Sequence, residues 1–98
     1  GGLLAIASDL NPGTAWGGDM QFVLALACRY LHLTPAQSIA AATINGAFAM
    51  EVQDKTGSIR IGKKANLIFT KPAPNLAYLF YAFGANHIDK VMLNGKII

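Results

Sequence analysis

The chain has 98 residues, 53% of them apolar and only 13% charged, and its eight Lys and Arg against five Asp and Glu leave a net charge of +3. That composition excludes a disordered segment, a coiled coil and a basic nucleic-acid-binding tail. A typical domain carries about 25% charged residues, and a chain this short buries only about 60% of its unfolded surface, so the apolar excess reads as one part of something larger.

Gly1 at the start and Ile97-Ile98 inside a final apolar run fit the same expectation of a piece cut from a longer chain. The one adjacent basic pair, Lys63-Lys64, reads as a solvated face rather than a phosphate patch. Cys28 is the single cysteine, so there is no disulfide framework; a small core hydrophobe in a reducing, cytoplasmic setting is expected. No basic stretch precedes the first apolar run, which is also too short to span a bilayer, so neither a signal peptide nor a membrane partner is expected.

In chain order, Leu3 to Ala7 is a continuous apolar run without alternation, the pattern of a strand buried on both faces of a parallel sheet. Nothing between Met20 and Met50 could pair with it, so its neighbours are expected upstream of Gly1. Asn11-Pro12-Gly13 marks a tight turn, extended by Gly17 and Gly18. From Met20 the apolar residues Val23, Leu24, Ala27, Cys28 and Leu31 fall at helical spacing, and Phe22, Ala25 and Leu26 make the opposite side apolar as well. Thr34, Pro35 and Gln37 supply an N-cap, a first-turn proline and the third-position residue of a capping box, which predicts a second helix. Asn45-Gly46 is expected to break that helix and cap a short turn ending near Met50.

After Glu51 the pattern changes. Ile59 and Ile61 alternate between the Gly57 and Gly62 brackets and predict a short strand, and Ala65 to Phe69 predicts another. Residues 72–87 read as loop with one helical turn. Lys90 to Leu93, Asn94-Gly95 and Lys96 to Ile98 spell a β-hairpin.

Asp9 is the residue with the clearest chemical potential, because a carboxylate at the carboxyl end of a buried strand occupies the place where parallel β/α barrels keep their reacting groups. From spacing alone a loop-stabilising Asp is an equal reading. The N–H groups of the turn from Asn11 to Thr14 could hold an anion. Of the two histidines, His32 reads as a helix-end residue and His87 as a hydrogen-bonded residue at a strand start.

The segments SDLNPGT, MQFVLALACRYLHLTPAQSIAAATINGAFAM, GSIRIGKKANLIF and APNLAYLFYAFGANHIDKVMLNGKII together resemble the carboxy-terminal end of the imidazolonepropionases, a family within the metal-dependent amidohydrolase superfamily. GSIRIGKKANLI resembles the superfamily's return from barrel to β-sandwich. The Asp-x-Asn-Pro-Gly loop and FGANHIDKV look like imidazolonepropionase rather than dihydroorotase or a nucleobase deaminase.

The resemblance implies an α/β fold, namely the last strand and following helices of an amidohydrolase TIM barrel over residues 1–50, with part of the appended β-sandwich and its final hairpin over 51–98. It implies that Asp9 is a ligand of one catalytic divalent metal ion, zinc or iron, and takes a proton from the metal-bound water. It implies that Asn11 and Gly13 contact the open-chain product, N-formimino-glutamate, and that Thr14 faces the substrate, imidazolone propanoate. A small-molecule substrate, no nucleic-acid or membrane partner and a cytoplasmic location follow, and a homodimeric full-length enzyme stays open. Asn66 stands where the superfamily commonly has Asp, and Leu79 to Gly84 lacks the Pro and His that relatives often show. The family's metal-binding histidines have no counterpart in this chain, so the 98 residues alone are expected to be inactive. Two alternatives stand beside this reading: a fragment of another cyclic-amide hydrolase or deaminase of the superfamily, and a small non-enzymatic interaction module.

Overall fold

Helix α1 (Met20–Tyr30) begins because Asp19, in an extended conformation, turns its carboxylate Oδ1 onto the N–H groups of Gln21 (2.9 Å) and Phe22 (3.4 Å). The computed structural model describes residues 2–9, 19–81 and 85–98. At the other end of α1, His32 takes a left-handed conformation (φ 57°) that lets the Leu33 N–H reach back to the Ala27 carbonyl. His32 is exposed there, at the helix end where the spacing put it.

Helix α2 (Pro35–Ala42) carries the full capping box. The Thr34 hydroxyl accepts from the Gln37 N–H, the Gln37 side chain accepts from the Thr34 N–H, and Pro35 occupies the first turn. The break that follows falls at Thr43, two residues before the expected Asn45-Gly46. Its hydroxyl donates to the Ile39 carbonyl at 2.6 Å and its N–H is shared between Ile39 and Ala40, so the backbone turns there and α3 (Ile44–Ala49) starts at once. Asn45 and Gly46 lie inside α3.

Small residues let these helices approach closely. Ala27, Ala41 and Ala47 are buried, and Ser38 is wholly so, its hydroxyl donating to the Leu24 carbonyl of α1. Cys28 is half-buried with a free thiol, not a closed core position.

Two expected strands do not form. Residues 2–9 have no strand partner among the described residues, and Leu3 and Leu4 are exposed. A strand needs a neighbour's ladder. Here the Ile6 N–H goes instead to the Ala41 carbonyl, and the Leu4 carbonyl accepts from the side chain of Asn45. The 57–62 stretch is a pair of turns. Gly57 (φ 96°) and Gly62 (φ 92°) are both left-handed, Lys63 closes back onto Arg60, and Lys63 Nζ donates to Ser58 Oγ at 2.8 Å, leaving Ile59 and Ile61 exposed.

The remaining elements follow the sequence closely. A three-stranded antiparallel sheet has the order β1 (Leu67–Thr70), β2 (Ile88–Leu93), β3 (Lys96–Ile97). Leu67 pairs with Met92 and Ile68 with Val91, and the register shifts at Phe69/Thr70. Asn94 and Gly95 both have positive φ, the two-residue turn that matches the twist of a hairpin. Asn66 Oδ1 accepts from the Asn94 N–H (2.9 Å), so the departure from Asp at this position keeps an acceptor where the turn needs one. Between β1 and β2, the single turn α4 (Tyr78–Tyr81) begins where Asn75 Oδ1 accepts from the Tyr78 N–H, and it buries Phe80.

Gly57 packs against α3 so tightly that a Cβ would lie 2.6 Å from Ala47 Cβ and 3.3 Å from the Thr43 carbonyl, whereas a Cβ on Gly62 would meet nothing within 4 Å. Gly62→Ala is therefore expected to cost only the left-handed backbone term, about 1–2 kcal/mol. Gly57→Ala adds overpacking, for a total of about 2–5 kcal/mol. Urea unfolding of the two variants side by side measures the difference. Thr34→Ala, which removes the cap of α2, is expected to lower stability by about 1 kcal/mol in the same assay.

Candidate functional site

The residues leading to Asp9 are held by the α2–α3 pair. The Ile6 N–H donates to Ala41 at 3.2 Å and Asn45 Nδ2 donates to the Leu4 carbonyl at 2.9 Å. Asp9 itself is exposed and left-handed (φ 51°), a conformation that Asp tolerates better than most residues. Asn11, Gly13 and Thr14, the other expected site residues, lie outside the described residues.

A catalytic metal usually takes three or more protein ligands. Among the described residues no group of three or more His, Cys, Asp and Glu could hold a metal ion. The described donors therefore do not make up such a site by themselves. His32, exposed at the end of α1, is not part of any such group.

His87 is buried. Its ring meets Tyr78 edge to face with centroids 5.6 Å apart, its backbone N–H donates to Gln21 Oε1 (3.0 Å), and its backbone carbonyl accepts from the Lys71 N–H (2.8 Å). Gln21 Nε2 also donates to Asn86 Oδ1 at 3.5 Å, and that same oxygen accepts from the Ile88 N–H. The first turn of α1 is thus fastened to the start of β2. Neither Gln21 nor Asn45 stood out in the sequence as a site residue. The available signal was a polar amide side chain inside an otherwise apolar helical stripe.

A groove of about 540 Å³ between α1 and α4 is walled by Phe22, Leu26, Tyr30, Phe80 and Tyr81, with Cys28 and Arg29 beside them. Asp9 does not line it. No described helix is long and apolar enough to cross a membrane.

Residues 4–98 match the model of the amidohydrolase family. The chain belongs to that family. Amidohydrolases similar to it include the imidazolonepropionase of Christiangramia forsetii, 50% identical over 95 residues that make up 97% of this chain and 23% of that enzyme. The imidazolonepropionase of Flavobacterium johnsoniae is 52% identical over the same shares, and that of Alkaliphilus metalliredigens is 41% identical over 97% of this chain and 22% of the enzyme. The chain thus spans less than a quarter of the length of these relatives. Among solved structures, an adenosine deaminase from Xanthomonas campestris with bound zinc superimposes with a TM-score of 0.61 at 30% identity, over 80% of this chain and 20% of that one. The structural likeness supports a slice of an amidohydrolase barrel.

Gln21→Ala is expected to destabilise the chain by about 1 kcal/mol, because it removes the acceptor of a part-buried backbone N–H. Amide exchange should show the loss at His87 first, with the α2 amides unaffected.

Proposed function

We propose that the chain is the carboxy-terminal part of an imidazolonepropionase, which hydrolyses 4-imidazolone-5-propanoate to N-formimino-L-glutamate in histidine breakdown. The observation that carries this reading is the 50–52% identity to two imidazolonepropionases over 97% of the chain. The zinc-containing deaminase, at 30% identity, is the more distant likeness. In this reading residues 1–50 contribute the last barrel strand and its helices, and residues 51–98 contribute part of the β-sandwich. Residues 2–9 would then gain a strand partner from the rest of the polypeptide along the edge that the Leu4 carbonyl and the Ile6 N–H do not use.

The reaction adds water across a ring amide. An oxygen bonds to the carbonyl carbon, the carbon–nitrogen bond breaks, and the departing nitrogen takes up a proton. Asp9 is assigned two tasks, one carboxylate ligand to a divalent metal and acceptor of the proton released by the attacking water. Zinc or iron, completed by ligands from elsewhere in the polypeptide, would supply a Lewis acid and lower the pKa of water to about 7. Asn11 and Gly13 are assigned to product contacts and Thr14 to the face of the substrate. The substrate is a small molecule, and no macromolecular partner is invoked.

The full-length polypeptide carrying this chain is expected to convert imidazolone propanoate to formimino-glutamate without releasing ammonia, while the 98 residues alone, supplied with zinc or iron, turn over nothing. Asp9→Asn should lower kcat about 10²- to 10⁴-fold and reduce the metal bound per protein in elemental analysis. Ammonia release from a cyclic substrate, or an Asp9→Asn enzyme with full activity and full metal content, would overturn the assignment.

A further inference from the structure

The hydrogen bond from Asn45 to Leu4 joins two points 41 residues apart. Asn45 is the second residue of α3, and Asn side chains often bond backbone close to them in sequence. Instead its amide crosses to the Leu4 carbonyl, and only the Nδ2 donor can face a carbonyl oxygen at 2.9 Å.

The Ile6 N–H, two residues on, is taken by the Ala41 carbonyl of α2. The two bonds therefore hold the backbone at the third and fifth residues before Asp9, one through a carbonyl and one through an N–H. The Ala41 bond is main chain to main chain and available to almost any sequence. The Asn45 bond depends on one side chain.

We infer that Asn45 is a positioning residue for Asp9, fixing the approach of residues 2–9 and hence the direction in which the carboxylate is presented. The inference rests on the proposed use of Asp9 as a ligand and proton acceptor. A site carried on a short irregular segment keeps its geometry only when neighbouring groups hold the segment, and a group bonded directly to a metal ligand typically contributes about 10- to 100-fold to activity or metal affinity, the upper bound for a support acting through the backbone.

The test uses the full-length polypeptide with three substitutions. Asn45→Asp keeps the side-chain volume but replaces the donor with an acceptor that repels the Leu4 carbonyl. Asn45→Ala removes donor and volume together. Asp9→Asn serves as the control on the underlying reading. Both Asn45 variants are expected to lower kcat at least about tenfold with KM changed less, to lower bound metal, and to speed amide exchange at Ile6 while the α2 amides stay protected. Asn45→Asp should be at least as impaired as Asn45→Ala. If Asn45→Asp retains wild-type kcat and Ile6 protection while Asn45→Ala does not, the residue acts by volume and the inference is wrong. Should Asn45→Asp fail to fold, Asn45→Ala decides, and unchanged Ile6 exchange and kcat overturn the inference. Full activity in Asp9→Asn would instead remove the reading on which it rests, whatever the Asn45 variants do.

Discussion

The path of residues 2–9 and the seat of Gly57 depend on how closely other parts of the chain approach the α2–α3 pair. That approach is possible because the contact residues are among the smallest available: Ala27 on α1, Ser38 and Ala41 on α2, Ala47 on α3 and Gly57 beyond it. At such distances backbone groups become partners across elements, as when Ser38 reaches the Leu24 carbonyl and Ile6 reaches Ala41. A bulkier residue at any of these places would push the helices apart and with them the segment that carries Asp9.

Close packing of small residues contributes modestly, since each buries little apolar area. Ala27, Ala41, Ala47 and Phe80 are the buried apolar residues among those described, while Leu3, Phe22, Ile59, Ile61 and Ile68 stay exposed. In a chain that is 53% apolar this is a shortage of cover rather than of hydrophobic residues. Matching less than a quarter of each relative's length agrees with that imbalance. Directional bonds, the cap at Asp19, the capping box at Thr34 and the hairpin turn at Asn94-Gly95, supply the definition that a small core does not.

The elements legible in the sequence were those determined by neighbours a few residues away. The Thr34-Pro35-Gln37 cap, the stripe from Met20 and the Asn94-Gly95 hairpin each follow from local chemistry, whereas the one helical turn within residues 72–87 took its place at Tyr78–Tyr81 only in the structure. The strand read at Leu3 to Ala7 depends on pairing partners, and the sequence of a segment does not say where its backbone bonds go. Ile59 and Ile61 alternate as a strand would, but Gly57 is committed to a left-handed turn by its packing against α3. Asn45-Gly46 looked like the stronger helix breaker, yet the Thr43 hydroxyl, competing for the Ile39 carbonyl, acts first. Of the candidate site, Asp9 was legible as a carboxylate after an apolar run, and the role proposed for it comes from the resemblance. Asn45 and Gln21 were illegible as supports because their partners lie 41 and 66 residues away.

The contact between Gly57 and Ala47 also limits how this chain can exchange material with its relatives. With 2.6 Å between a Cβ at 57 and the one at 47, the two positions share a volume that admits one methyl group. A crossover falling between them would inherit each half of that arrangement from a different parent. Hybrids joined before Ala47 or after Gly57 keep the pair together, which makes the ten-residue interval a poor place to splice and its two ends natural seams.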